Sequence, residues 1–310
     1  MNTESNAVPE SPLESQVTAP VAISPARRMY WSVRRELWES RWIYIAPLAV
    51  AALILIGFLI SAIHLPETMR AALALDPMQQ HDLIQKPYDL AALLIMGATF
   101  IVAVFYCLDA LHSERRDRSI LFWKSLPVSD LTTVLSKASI PIVALPLITF
   151  AVTVVTQWIM LLLNTAVLMG SGVSVTALWR HLPLWHMSLM LLYHLLAIHG
   201  FWYAPFYGWL LLVSVWARRV PFLWAALPLL VIGVLEKIAF NTSHFAGMLG
   251  YRIGGGSGGA ASTAGSMSMD SLTQLSPGRF LISPGLWGGL VVAALFIAAA
   301  VRLRRYREPI

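Results

Sequence analysis

The sequence predicts an all-α polytopic membrane protein with six transmembrane helices, cytoplasmic N- and C-termini, and an N-terminal amphipathic helix in the membrane interface. Three observations carry that fold class. First, the 310 residues are 57% hydrophobic and only 12% charged, about half the charge of an average soluble domain, which is roughly 25%. Second, the apolar residues gather into six runs near the ~20 residues a helix needs to cross a bilayer. Third, the basic residues divide unequally between alternate connections.

Residues 1–26 are rich in Pro, Ser and Glu and have no apolar core, so they read as a disordered cytoplasmic tail. They do not form a cleavable signal peptide. Residues 27–310 form one transmembrane domain. Its opening stretch, RRMYWSVRRELWESRW, segregates on a helical wheel. Ser32, Arg35, Glu36 and Glu39 fall on one arc; Tyr30, Trp31, Val33, Leu37 and Trp38 fall on the other, with Arg27, Arg34 and Arg41 recurring every seven residues among the aromatics. Such a helix lies flat, with indoles at headgroup depth and arginines reaching phosphates or stacking on rings.

The six spans are read at about 43–63, 90–108, 139–169, 187–216, 220–235 and 284–301. Outer connections cover 64–89, 170–186 and 240–283. The last is Gly/Ser-rich and includes GGGSGGAASTAGSMSMDS, which lacks the GxxxxGK[ST] pattern of a phosphate loop and reads as a loop. Span five is the shortest and reads as either a crossing or a half-crossing. With the N-terminus inside, six crossings place 16 of the 22 Lys and Arg on the cytoplasmic side and 6 outside. Five crossings would misplace the cluster Arg302–Arg307, so the positive-inside rule favours six. This distribution also accounts for the net charge of +6, so no nucleic-acid partner is needed to explain it.

Catalytic and metal patterns are missing. There is no HExxH among the eight His, no GxSxG with triad partners, and no mid-membrane carboxylate pair; a single cysteine, Cys107, excludes a CxxC site. The chain therefore reads as a non-enzyme that holds no metal. His194 and His199 are five apart, about 140° on an α-helix, and are expected to face different ways. Gln157 and Asn164 are seven apart, as are His186 and Tyr193. These four are candidates to line a substrate path, because intramembrane polar groups are functional candidates by default.

The most informative stretch is HSERRDRSILFWKSLPVSDLTTVLSK, His112–Lys137, between spans two and three. Orientation explains its arginines. It does not explain Ile120, Leu121, Phe122, Trp123 and Leu126, apolar residues on a short helix that Ser119 can cap and Pro127 must end. Ser129 then caps a second helix that leads into span three. Exposed aromatics ringed by charge are suited to a groove on a soluble partner.

This stretch resembles the first cytoplasmic loop of ATP-binding-cassette (ABC) exporter permeases of the type-2 class. The likeness is carried by Glu114, Arg115, Arg116, Ser125, Leu126, Pro127, Val128, Ser129 and Lys137, and the six-span layout with an amphipathic N-terminal helix agrees with it. The Gly/Ser-rich outer loop departs from the family's pattern. The resemblance implies a transport subunit of the bacterial cytoplasmic (inner) membrane, working as one of two transmembrane subunits. A separate nucleotide-binding ATPase would carry the ATP and Mg, and this chain would bind no cofactor. Ser119–Pro127 would be the coupling helix that docks on the ATPase, and Glu114, Arg115, Arg116 and Arg118 its polar anchor. The rival reading is a membrane signalling or assembly protein that binds a cytoplasmic partner through the same loop and transports nothing.

Overall fold

The computed structural model describes residues 24–73, 75–117, 119, 129–172, 175–254 and 277–306. These residues are helical almost throughout, and six helices are long and apolar enough to cross a membrane: Trp42–Ala72, Met78–Arg116, Asp130–Ser171, Leu178–Trp202, Pro221–Phe240 and Pro284–Tyr306. The fourth continues beyond Tyr203 as a shorter apolar helix, Ala204–Trp216, and the two pieces together are span four. The N-terminal amphipathic helix, Pro25–Glu39, precedes them all; the Ser24 hydroxyl accepts from the Arg27 N–H at 3.3 Å and caps its first turn.

Several boundaries differ from the sequence reading. The 64–89 connection is largely helix rather than loop. Leu65–Leu73 continues the first span, and the second helix begins at Pro77 and runs unbroken to Asp109. Its opening turns carry Gln79, Gln80, His81 and Asp82, which mask the helix from an apolar window, while Pro77 sits at the first helical position, where its missing N–H does no harm. The fifth helix is 20 residues, Pro221–Phe240, not a short 220–235 segment, and is therefore long enough for a full crossing. It contains Glu236 and Lys237 because its far end turns at once into a second helix, His244–Ile253. The Glu236 carboxylate accepts from the Thr242 hydroxyl (2.9 Å) and from the N–H groups of His244 (2.7 Å) and Phe245 (2.8 Å). One side chain thus satisfies two of the orphan donors that open the return helix.

At its other end the return helix is held by span four. The Trp202 indole N–H donates to the Arg252 carbonyl (2.8 Å), and the Tyr203 hydroxyl donates to the Ile253 carbonyl (2.7 Å). The 240–283 connection accordingly carries helix on both flanks, His244–Ile253 and Pro277–Ile282, with 255–276 outside the described residues.

Spans four and six make the most extensive pairing among the described helices. Gly208 permits it: a Cβ there would stand 3.2 Å from the Ala293 carbonyl oxygen and 3.3 Å from the Phe296 Cβ. Small residues at such crossings let helix backbones approach where lipid offers no hydrophobic drive for association. Span two packs against spans one, three and four. The core at one end contains Ile43, Cys107, Leu111, Val134, Ile140, Leu211, Val215 and Ala300. Span five lies at the edge, with Ala225 its one buried residue. It is joined to span four by a tight turn in which Val220 adopts φ 47°, a conformation that strains a β-branched residue.

Spans three and four each widen into a π-helix, at Ile140–Ala144 and Leu195–Trp202. Pro146 has no N–H to give the Ile142 carbonyl, so the α ladder fails there. The Ile142 oxygen lies against Gly200, where a Cβ would come within 2.8 Å of it.

Candidate functional site

The N-terminal helix, the ends of spans two and six, and the start of span three meet at one end of the bundle, its basic end. Their charges do not face water. Glu36, Glu114, Arg115, Lys137 and Arg304 are all buried, between 2% and 7% exposed. The Lys137 ammonium donates to both Glu36 oxygens (2.9 and 3.0 Å) and stands 3.1 Å from Glu114 Oε1. Arg304 donates to Glu114 Oε2 (2.9 Å) and to Asp130 Oδ1 (2.8 Å). Arg35 donates to Glu36 (2.8 Å), and so does the Tyr106 hydroxyl (3.0 Å). Carboxylates Glu36, Glu114 and Asp130 therefore face cations Arg35, Lys137 and Arg304, drawn from segments far apart in sequence.

Removing charges from water is expensive, and a buried pair survives only with good geometry and filled hydrogen-bonding capacity. Glu36 meets both conditions. Burial pushes its carboxyl up, but the ammonium of Lys137 and the guanidinium of Arg35 more than offset this and hold it below its ordinary 4.5.

A second set of bonds fixes the short helix His112–Arg116. The Ser214 hydroxyl of span four accepts from the N–H groups of Leu111 (3.0 Å) and His112 (2.9 Å), capping that helix from another part of the chain. Arg115 donates to the carbonyls of Val215 and Ala217, at the point where span four ends and its last carbonyls lack helical partners. Ser129 caps the following helix, accepting from the Thr132 N–H at 3.2 Å, as the sequence predicted.

The connection between spans two and three is thus tied down on both flanks, by Glu114 and Arg115 before it and by Asp130 and Lys137 after it. Of the expected coupling residues, Arg118, Ile120, Leu121, Phe122, Trp123, Leu126 and Pro127 lie outside the described residues. Ser119 donates to the Glu114 carbonyl at 3.4 Å. Arg116 is exposed and pairs with exposed Asp117.

On the N-terminal helix, Arg27, Trp31, Arg34 and Trp38 lie on the exposed side, and Arg41, just past its end and before span one, is exposed as well. The Arg34 guanidinium sits 5.2 Å from the Trp31 ring and 5.6 Å from that of Trp38, the stacking expected of an interfacial helix. The opposite arc, which reads as a solvated face, delivers Glu36 into the core.

Inside the bundle, Gln157 and Asn164 come together on span two. The Gln157 amide donates to the Tyr88 carbonyl (3.3 Å) and the Asn164 amide to the Tyr88 hydroxyl (3.1 Å). Their own carbonyl oxygens are buried without a hydrogen-bond partner among the described residues. His186 and Tyr193 do not join this seam. His186 is exposed, and Tyr193 packs edge-on against Phe280 with ring centres 6.4 Å apart.

The expectation that His194 and His199 face different ways is overturned. Their ring centres are 5.5 Å apart, and His199 also packs on Phe100 and Tyr203. The reason is the π-helix between them: its wider turn brings residues five apart onto one face, where an α-helix would separate them. Among the described residues, no group of three or more His, Cys, Asp or Glu is placed to hold a metal ion. No family model, curated protein or solved structure matches the chain.

Proposed function

We propose that this chain is the transmembrane subunit of an ATP-driven exporter of the ABC type-2 class, oriented with its basic end in the bacterial cytoplasm. A separate ATPase would supply the energy, and a second transmembrane subunit would complete the pathway. The observation that supports this reading best is the buried ionic network on both flanks of the 118–128 connection. A docking loop transmits force only if its ends are joined to the helices it must move. Here the flank before the loop is tied through Glu114 to Lys137 and Arg304, and through Arg115 to span four. The flank after it is tied through Asp130 to span six. A push on the loop therefore reaches spans three, four and six as one body. The resemblance of Glu114–Lys137 to the family's coupling loop agrees with this arrangement.

The test is co-purification of the full chain with a Walker-A ATPase encoded beside it, with ATP hydrolysis measured in the presence and absence of this chain. The expected result is a stable complex whose hydrolysis depends on the membrane subunit. Phe122→Ala combined with Trp123→Ala should weaken the complex at least about tenfold, as loss of buried aromatic anchors does. Unchanged binding and unchanged hydrolysis in that double variant would overturn the assignment. A stable complex that hydrolyses ATP equally with and without the chain would favour an assembly role.

A further inference from the structure

The helix Pro25–Glu39 presents two faces to different surroundings. On one, Val33 and Leu37 pack against the core of the bundle and Glu36 enters the ionic network. The other faces outward. At the period of an α-helix, Arg27, Trp31, Arg34 and Trp38 fall within an arc of about 60°. All four are exposed, Trp31 by 50% and Trp38 by 72%. Arg41 and Trp42, just past the end of the helix, are exposed as well.

Two independent observations indicate what covers this face. The first is connectivity. Only Ser40 and Arg41 separate the helix from Trp42, the first residue of span one, so the membrane surface begins within two residues of its end. Indoles exposed to this degree form an unfavourable patch in water and are at home at headgroup depth. The second is charge. Arg27, Arg34 and Arg41 make no ion pair among the described residues. The two carboxylates of the helix are engaged elsewhere, Glu36 with Lys137 and Glu39 with Arg35 at 3.5 Å. The outward face is therefore cationic and aromatic, with no acid on it.

Lying on a bilayer requires only the indoles; the arginines add a choice between headgroups. A zwitterionic lipid brings a phosphate together with an ammonium. That ammonium would seek an indole face, but Arg34 already occupies those of Trp31 and Trp38, at 5.2 and 5.6 Å. An anionic lipid brings a phosphate and no cation to place, and a guanidinium can grip its oxygens with two N–H groups at once. We propose that this face is a binding surface for anionic phospholipid headgroups, whose capture holds the helix, and with it Glu36, against the bundle. The proposal stands independently of the exporter reading.

The test uses the purified full chain in a neutral detergent, without any ATPase. Phosphatidylglycerol and phosphatidylcholine with the same acyl chains are titrated in, and bound lipid is counted by native mass spectrometry while the unfolding midpoint is followed in parallel. Soluble glycerol phosphate serves as the headgroup without a tail. Phosphatidylglycerol should bind in preference and raise the midpoint, and glycerol phosphate at the same concentration should neither compete nor stabilise. An arginine near an anionic lipid surface contributes about fivefold. Arg34→Gln combined with Arg41→Gln should therefore weaken phosphatidylglycerol binding about 25-fold, and Lys at both positions should restore most of it. Arg218→Gln combined with Arg219→Gln removes the same charge from exposed positions at the end of span four and should leave binding as it was. Equal binding of the two lipids, full affinity in the Arg34 and Arg41 double variant, an equal loss in the Arg218 and Arg219 double variant, or displacement of lipid by glycerol phosphate would each overturn the proposal.

Discussion

The two ends of this bundle are closed by different chemistry. At the basic end, charged groups from the N-terminal helix and from spans two, three and six neutralise one another out of water. At the far end, one cation and the neutral hydrogen bonds from Trp202 and Tyr203 to the Arg252 and Ile253 carbonyls do the joining. Arg252, on the return helix, lies 4.4 Å above the Trp202 ring and donates to the Gly285 carbonyl at 2.8 Å; the structure pairs it with no carboxylate among the described residues. A network of full charges is stiff, because moving any member strands the others. A cation resting on an indole and one carbonyl is held by weaker, separable contacts. The basic end is thus the more tightly bound of the two, and the contacts at the far end can be separated one at a time.

The largest expected effect comes from breaking the network at its centre. Lys137→Met leaves Glu36 buried without its main partner and weakens the compensation of Glu114. Stranding a buried charge costs about 3–5 kcal/mol, so the thermal unfolding midpoint should fall sharply in any one detergent. Adding Glu36→Gln should recover part of the loss, because coupled sites are not additive. A loss in Lys137→Met no larger than that of an ordinary surface change would break the comparison at its stronger side.

Acid should act on the same end in the same direction, less strongly. The Glu36 carboxyl is held below its ordinary 4.5. It therefore contributes stability that is present above that value and lost as pH falls through the lower folded value. The loss is smaller than in Lys137→Met because a protonated Glu36 is neutral, still meets the Tyr106 hydroxyl, and leaves Lys137 beside Glu114. Measured from about pH 6 down to about pH 3.5, the unfolding midpoint should drop further in the native chain than in Glu36→Gln. Parallel curves for the two proteins would remove Glu36 from the network's pH response.

How much of this was open to a reader of the sequence differs by region for physical reasons. Long apolar runs declare themselves, so the six helices, the Ser129 cap and the placing of Lys137 at the start of span three were legible. Glu36 was not. On an amphipathic helix a polar arc normally meets water, and nothing local marks the one carboxylate that meets a lysine 101 residues later. Arg304 was hidden by a sufficient simpler reason, since basic residues after the last span already satisfy the positive-inside rule. The His194–His199 pair was hidden by the wrong period: five residues separate faces on an α-helix and unite them on a π-helix. The helix Leu65–Leu73 and the opening turns of the helix from Pro77 were hidden by their polarity. In each case the missing information was tertiary, or lay in a helix geometry that residue type alone does not announce.

The smallest expected effect tests the far end. Gly285 and Gly289 form a notch on span six. A Cβ at Gly285 would stand 3.3 Å from the Trp202 ring, and one at Gly289 would overlap the Arg252 guanidinium. Gly289→Ala should therefore displace a flexible side chain rather than a backbone. The cost is that of one cation–π interaction and one hydrogen bond, together about 1–2 kcal/mol. That penalty falls on the docking of His244–Ile253 and not on the core of the bundle. Amide hydrogen exchange in 244–253 should then speed up by about tenfold, the equivalent of about 1.4 kcal/mol, while exchange in 130–139 at the basic end stays as it was. A change spread evenly over both segments would mean the ends are coupled, and the far end would then belong to the same block as the ionic network.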